Sequence, residues 1–217
     1  MVLRAILGGM LALSTSVGVA QAMPTNMLID GSFESGLAGW TTSGSGNPGV
    51  GAVIIPTDGS SQAPFGDIVP SDPIALGSTD PGGVKAAYFY DDSANDTLTQ
   101  NVLLSAGSVY FVGFDLFKTS SGAGNPQPFT ITGSLGSNVI ATATSGSLAT
   151  ASWTHYSGQI TALFSGLTSF SFLFTSPAGT GQDVVVDRVY VVAVPEPASL
   201  AMLAIGLAAL AAIRRRA

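Results

Sequence analysis

The sequence contains no cysteine. Disulfides, zinc–thiolate centres, iron–sulfur clusters and cysteine nucleophiles are excluded together. Histidine occurs once, as His155, so a multi-histidine metal centre cannot form within one chain. Charge is scarce as well. Only 9% of residues are charged, 7 Lys and Arg against 13 Asp and Glu, for a net charge of −6. Bases this sparse cannot neutralise a run of phosphates, and nucleic acid is not an expected partner. Low charge together with 46% hydrophobic residues argues against intrinsic disorder. No G-x-S-x-G nucleophile elbow occurs, and a Ser-His-Asp triad would have to use His155. The 217 residues suffice for one β-sandwich of ordinary size, while two typical domains would be a tight fit.

Both termini read as addresses. Residues 1–22 have the form of a secretory signal peptide. Arg4 supplies the positive start, Ala5 to Val19 is mostly apolar, and Ala20-Gln21-Ala22 is an A-x-A cleavage site. The exported chain then starts at Met23; an uncleaved anchor is the alternative, and the small-residue site argues against it. At the other end Val194-Pro195-Glu196-Pro197 precedes sixteen uncharged residues, Ala198 to Ile213, and then Arg214-Arg215-Arg216-Ala217. As a helix the run spans about 24 Å, slightly short of a hydrocarbon core of about 30 Å. Long arginines cover part of the mismatch and stay cytoplasmic, which leaves the body outside.

Motif, apolar run and arginine cluster in this order resemble the PEP-CTERM sorting signal, over residues 194–217. The resemblance implies a Gram-negative bacterium whose inner-membrane exosortase recognises Pro195, Glu196, Pro197 and the Arg214, Arg215 and Arg216 cluster, and cleaves near the motif. Bearers of the signal often make exopolysaccharide or biofilm. The expected route is an inner-membrane-anchored precursor, then the cell envelope or the extracellular space. A permanent single-span anchor is the alternative.

Between the termini, residues 23–193 form the expected domain. Met23 to Val194 carries three bases (Lys85, Lys118, Arg188) against twelve acids, a net charge of −9. Such a surface suits solubility and divalent cations and disfavours polyanions. Strand patterns dominate, and no 3.6-residue periodicity persists. Tyr110, Val112, Phe114 and Leu116 alternate with Phe111, Gly113, Asp115 and Phe117, and the first set predicts a core face. Phe170, Phe172 and Phe174 do the same, and Val185, Asp187, Val189 and Val191 share one parity. Further strands are expected at 27–33, 50–55, 84–90, 97–104, 129–133, 139–144 and 153–162, with long loops at 56–83 and 119–128. Ten or so short strands broken by Gly, Ser, Pro and Asp predict an all-β, antiparallel sandwich. It is flanked by the signal peptide and one C-terminal hydrophobic helix.

Asp30-Gly31-Ser32-Phe33-Glu34 before Gly39-Trp40, Thr97 to Val102, Ala106 to Tyr110, Trp153-Thr154-His155-Tyr156 and Asp187-Arg188-Val189 together resemble the jelly-roll carbohydrate-binding modules. The likeness is loose and spans about residues 26–192. It implies a jelly roll, with a structural calcium tying Glu34 of the opening segment to Asp187 of the closing strand, a cation that takes six to eight oxygens. The competing reading makes Glu34 a turn carboxylate and has Asp187 bonding backbone amides.

No residue is expected to be catalytic. His155 reads as a strand-surface residue. Asp91, Asp92 and Asp96 read as a solvated turn without the spacing of a calcium loop. Asp30, Glu34, Asp58, Asp67, Asp72, Asp80 and those three acids all fall in turns, loops or strand ends, where carboxylates stay near their reference pKa. Asp115, Asp183 and Asp187 fall on strands. Trp40, Trp153, Tyr88, Phe89 and Tyr90 are the rings that could stack on sugars, with core or edge packing the competing reading for both tryptophans. The sequence predicts a non-catalytic envelope or matrix protein, bound or adjacent to polysaccharide. The alternatives are a carbohydrate-binding module with a defined glycan site and a glycoside hydrolase.

Overall fold

A computed structural model describes residues 25–46, 48–72, 83–120, 128–177 and 182–195, with Gly206. The segment expected to be a signal peptide, residues 1–22, and the C-terminal run after Pro195, apart from Gly206, lie outside the described residues. Among the described residues no helix is long and apolar enough to cross a membrane.

Ten strands follow in chain order: β1 Thr41–Ser43, β2 Val53–Pro56, β3 Lys85–Phe89, β4 Asn95–Leu104, β5 Val109–Lys118, β6 Thr130–Leu135, β7 Asn138–Thr144, β8 Trp153–Thr161, β9 Gly166–Thr175 and β10 Val184–Ala193. A single 3-10 turn, Pro64–Gly66, interrupts the long loop. The strands form two five-stranded sheets, β1-β4-β9-β6-β7 and β2-β3-β10-β5-β8, in which every pairing is antiparallel. Strands β3 to β10 alternate between the sheets in the orders 3-10-5-8 and 4-9-6-7, the interlocked Greek keys of a jelly roll.

Period-2 patterns fill the space between the sheets. Tyr110, Val112, Phe114 and Leu116 of β5 and Phe170, Phe172 and Phe174 of β9 all enter one core. The Phe114 and Phe172 rings meet edge-on, with centroids 4.9 Å apart. Two expectations differ. Residues 27–33 form no strand, because Asp30 (φ 51°) and Phe33 (φ 60°) turn left-handed. The segment instead runs beside β10, with the Met27 amide donating to Val191 O and the Val189 amide to Gly31 O. Strand β1, Thr-Thr-Ser, has no alternation to announce it.

The two sheets face different surroundings. Along β4 buried positions alternate with partly or fully exposed ones, so the sheet containing it has one dry face. In β10 nine of ten residues are buried, which requires cover on both faces. The second cover comes from residues 57–72. Ala63 and Val69 of this segment pack with Ile55, Ala86, Tyr88, Phe117 and Val185 on the outer face of the sheet. A bulge in β10 sets what points there. The register shifts between Asp187 and Tyr190, and Arg188 takes φ 50°. Val184 and Val186 before the bulge, and Val189 and Val191 after it, enter the central core. The shared parity expected for Val185, Asp187, Val189 and Val191 is therefore broken. Asp187 stays with Val185 on the outer face.

Candidate functional site

Beneath the 57–72 segment, the outer face of the β2-β3-β10-β5-β8 sheet holds an acidic network. Antiparallel register sets Asp187 of β10 beside Asp115 of β5, and Asp115 beside His155 of β8. Nδ1 of His155 lies 2.5 Å from Asp115 Oδ1. From the covering segment comes Asp72, whose Oδ2 stands 3.3 Å from Arg188 Nε and whose carbonyl accepts from Arg188 Nη2 at 2.5 Å. The Arg188 amide donates to Asp187 Oδ1 at 2.7 Å. Tyr190 stacks on His155, and the space for its ring exists because residue 113 is glycine: a Cβ there would meet the Tyr190 hydroxyl at 2.4 Å.

Charge in this network does not balance. Asp72, Asp115, Asp187 and Arg188 are all buried, so three carboxyls share one guanidinium. Burial pushes the Asp72 carboxyl up to about 8, helped by its contact with Asp115 and outweighing the pull of Arg188. Burial likewise raises Asp187 to about 8 and raises Asp115. It lowers the His155 imidazole, which favours the neutral ring. Asp115 Oδ2, Asp187 Oδ2, and Arg188 Nε and Nη1 lack hydrogen-bond partners among the described residues. A second group repeats the pattern. The Tyr88 hydroxyl lies 2.6 Å from both Asp67 Oδ2 and Asp183 Oδ2. It has one proton to donate, so one carboxyl must donate its own. Burial raises Asp183 to about 7, in keeping with that role.

Rings mark the wet side of this layer. Phe65 is 73% exposed and Tyr90 partly so, their rings edge-on at 5.8 Å. Tyr90 stacks in turn on buried Tyr88. Phe65 holds φ 62°, a conformation that costs a non-glycine residue of order 1 kcal/mol. A groove of about 250 Å³ lies along the same loop, lined by Ile54, Pro56, Asp58, Gln62, Val84 and Lys85.

Several sequence expectations are corrected by this arrangement. Asp67, Asp72, Asp91 and Asp96 are buried, not solvated. Asp91 Oδ2 accepts from the Gly51 amide and Asp96 Oδ1 from the Ser45 amide, so the 44–51 loop wraps the turn between β3 and β4. Burial and Asp91 together raise Asp96 to about 6, against the pull of the Ser45 amide. His155 does lie at the strand surface, exposed on β8, and its side chain, 33% exposed, also pairs with Asp115. Trp40 packs in the core on Phe33 and Phe170. Trp153 is half-buried against Phe117 and donates to Pro70 O. Tyr88 and Phe89 point to opposite faces and both are buried. Phe65 went unnoticed in the sequence, where only the turn residues Pro64 and Gly66 around it carry a signal.

Glu34 and Asp187 occupy separate networks. Glu34 Oε1 accepts from the Val84 and Lys85 amides at 2.9 Å each, while Lys85 Nζ donates to Glu34 O. Among the described residues no group of three His, Cys, Asp or Glu is placed to hold a metal ion.

Comparison with known proteins separates body from tail. Residues 193–216 match the PEP-CTERM protein-sorting motif. No curated protein matches the sequence significantly. Among solved structures, a family 61 carbohydrate-binding module in complex with β-1,4-galactotriose superposes with a TM-score of 0.51 at 19% identity, over 77% of this chain and 97% of the module. A family 16 carbohydrate-binding module gives 0.44 at 16% identity, over 76% and 99%. A family 4 module gives 0.41 at 15%, over 77% and 99%. The chain thus carries a PEP-CTERM sorting motif behind a β-sandwich with the fold of carbohydrate-binding modules.

Proposed function

We propose that the protein is an exported, non-catalytic sandwich that an exosortase-type system sorts to the cell envelope or extracellular matrix, where it binds exopolysaccharide. The observation that supports this most is the pairing of the sorting motif with a sandwich of this fold in one chain. Phe65 and Tyr90 offer the stacking surface for a pyranose face, and Asp58, Gln62 and Lys85 line a groove along the same loop with hydroxyl-bonding groups. The acids do not favour hydrolysis. Asp72, Asp115 and Asp187 are at most 6% exposed, which leaves no route for a sugar between two of them. The mature chain should retain glycans on an array and release no product from a polysaccharide and ester panel. Turnover lost in Asp115→Asn or His155→Ala would replace this reading with a hydrolase.

Sorting has its own test. Replacing Pro195, Glu196 and Pro197 with alanine should leave insertion intact and stop processing, so that full-length chain accumulates at the inner membrane. Unchanged maturation in a host with the cognate exosortase would favour a permanent anchor. The proposal retains Glu34 and Asp187 as calcium ligands. In favour stands the buried, unpartnered Oδ2 of Asp187. Against it stand the backbone bonds already made by Glu34 and the Lys85 ammonium beside it.

A further inference from the structure

The body ends at one pole of the sandwich, and that pole is unlike the rest. The Val194 amide donates to Val109 O, the Gly107 amide to Ala162 O, and the Ala162 amide to Ser108 O. Chain exit, β4–β5 turn and β8–β9 loop are therefore joined. Leu163 and Phe164 in that loop are 80% and 81% exposed. Nearby, Leu103 and Leu167 are cross-strand partners, 63% and 74% exposed. Single exposed apolar side chains are ordinary, but four at one end are not. No residue within 101–111, 133–140, 157–170 or 189–195 is charged. In a body of net charge −9, these uncharged segments can approach a bilayer without desolvating a carboxylate of their own, and Glu196 follows them in the linker.

The chain leaves this pole towards its apolar run. Pro195 is exposed, and only Glu196 and Pro197 separate it from Ala198, three Cα steps that reach roughly 10 Å when fully extended. If 198–213 spans the membrane, the pole is held within that distance of the bilayer surface. We propose that the Leu163–Phe164 loop, with Leu103 and Leu167, rests in the headgroup region of the bilayer while the precursor is anchored. This rests on the reading of residues 198–213 as a span. The pole has no Lys or Arg to attract anionic lipid, so the contact depends on apolar burial and on the tether, which keeps the effective lipid concentration high. Severing the tether then releases the body, as sorting away from the membrane requires.

Because the chain has no cysteine, single labels are clean. Full-length precursor would be reconstituted in phosphatidylethanolamine–phosphatidylglycerol vesicles. An environment-sensitive fluorophore goes on Leu163→Cys, on Gly206→Cys within the apolar run, or on Ala149→Cys, an exposed site in the loop before β8. The expected result is a blue shift and severalfold stronger quenching by shallow nitroxide lipids at 163 than at 149, with iodide quenching lost at 163. Quenching at 206 by lipid, with 163 as open to iodide as 149, would overturn the docked pole and leave the span standing. A water-exposed 206 would overturn both. Shielding at 163 that grows with protein density, without nitroxide quenching, would assign the patch to a second copy and overturn the lipid contact.

Discussion

The two sheets share a core but differ on their outer faces. The β1-β4-β9-β6-β7 sheet turns an alternating, uncharged strand such as β9 to water. The β2-β3-β10-β5-β8 sheet is dry on both sides along its central strand β10, and the covered face there holds Asp115, Asp187 and Arg188. Hydrophobic burial explains most of the first arrangement, with Asp96 and Gln100 of β4 as its buried polar side chains. The second carries polar groups whose burial opposes folding unless protons or partners neutralise them. The shared core therefore stabilises the fold, while the covered face makes that stability depend on conditions.

The comparison is tested hardest in the core. Phe172 is fully buried and packs on Phe114 and Phe170. Phe172→Ala should lower unfolding stability by about 3–5 kcal/mol at any pH between 5 and 8. Denaturant titration at both ends of that range checks it, and a strongly pH-dependent loss would mean that the two faces are not independent.

Calcium comes next. An ion that binds only the folded state adds about 2.7 kcal/mol at a hundred times its Kd. For a body of this size each kcal/mol moves the melting midpoint by about 2–4 °C. Chelation should lower the midpoint if Glu34 and Asp187 bind calcium, and Glu34→Gln should abolish the response. Identical melts in calcium and chelator would remove calcium from the proposal.

Legibility in the sequence follows the range of the forces involved. Alternation is local, so β5 and β9 were readable residue by residue, and the tail was readable from one contiguous segment. The acidic network is assembled from distant segments. Asp72 meets Arg188 across 116 positions and Tyr88 meets Asp183 across 95. Nothing near Asp72 distinguishes it from a solvated loop acid. The β10 bulge was hidden because Val185 to Val191 keeps an unbroken parity in sequence, while the backbone inserts one unpaired step. Phe65 was hidden because a left-handed φ leaves no mark on composition.

The acid network gives an effect that depends on pH and carries a sign. The Asp187 pKa rises from an ordinary 3.8 to about 8 on folding. The folded state thus holds a proton that the unfolded chain releases. The stability from this group is complete below about pH 3.8 and is lost as pH rises towards 8. Asp72 and Asp183 act in the same direction. His155, whose pKa is lowered, acts oppositely and loses stability as pH falls. Asp187→Asn is neutral at every pH and keeps an acceptor for the Arg188 amide. Its stability relative to wild type should rise between pH 5 and pH 8. A constant difference across that range would place an ionised Asp187 in the folded state.

The smallest stability effect should accompany a large functional one. Phe65 is exposed, touches Tyr90 edge-on and holds φ 62°. Its ring adds little burial, and its backbone opposes folding by of order 1 kcal/mol. Phe65→Gly removes that strain but gives the unfolded chain more freedom, about 0.5–1 kcal/mol in the other direction. The two nearly cancel, so the melting midpoint should stay within a few degrees of wild type. Retention on polysaccharide should nevertheless drop sharply, because the stacking surface is gone. A side chain held in an unfavourable conformation with its ring in water serves a ligand better than it serves the fold. Wild-type retention by Phe65→Gly would remove Phe65 from the glycan surface and leave Tyr90 and the groove beside Lys85 to account for binding.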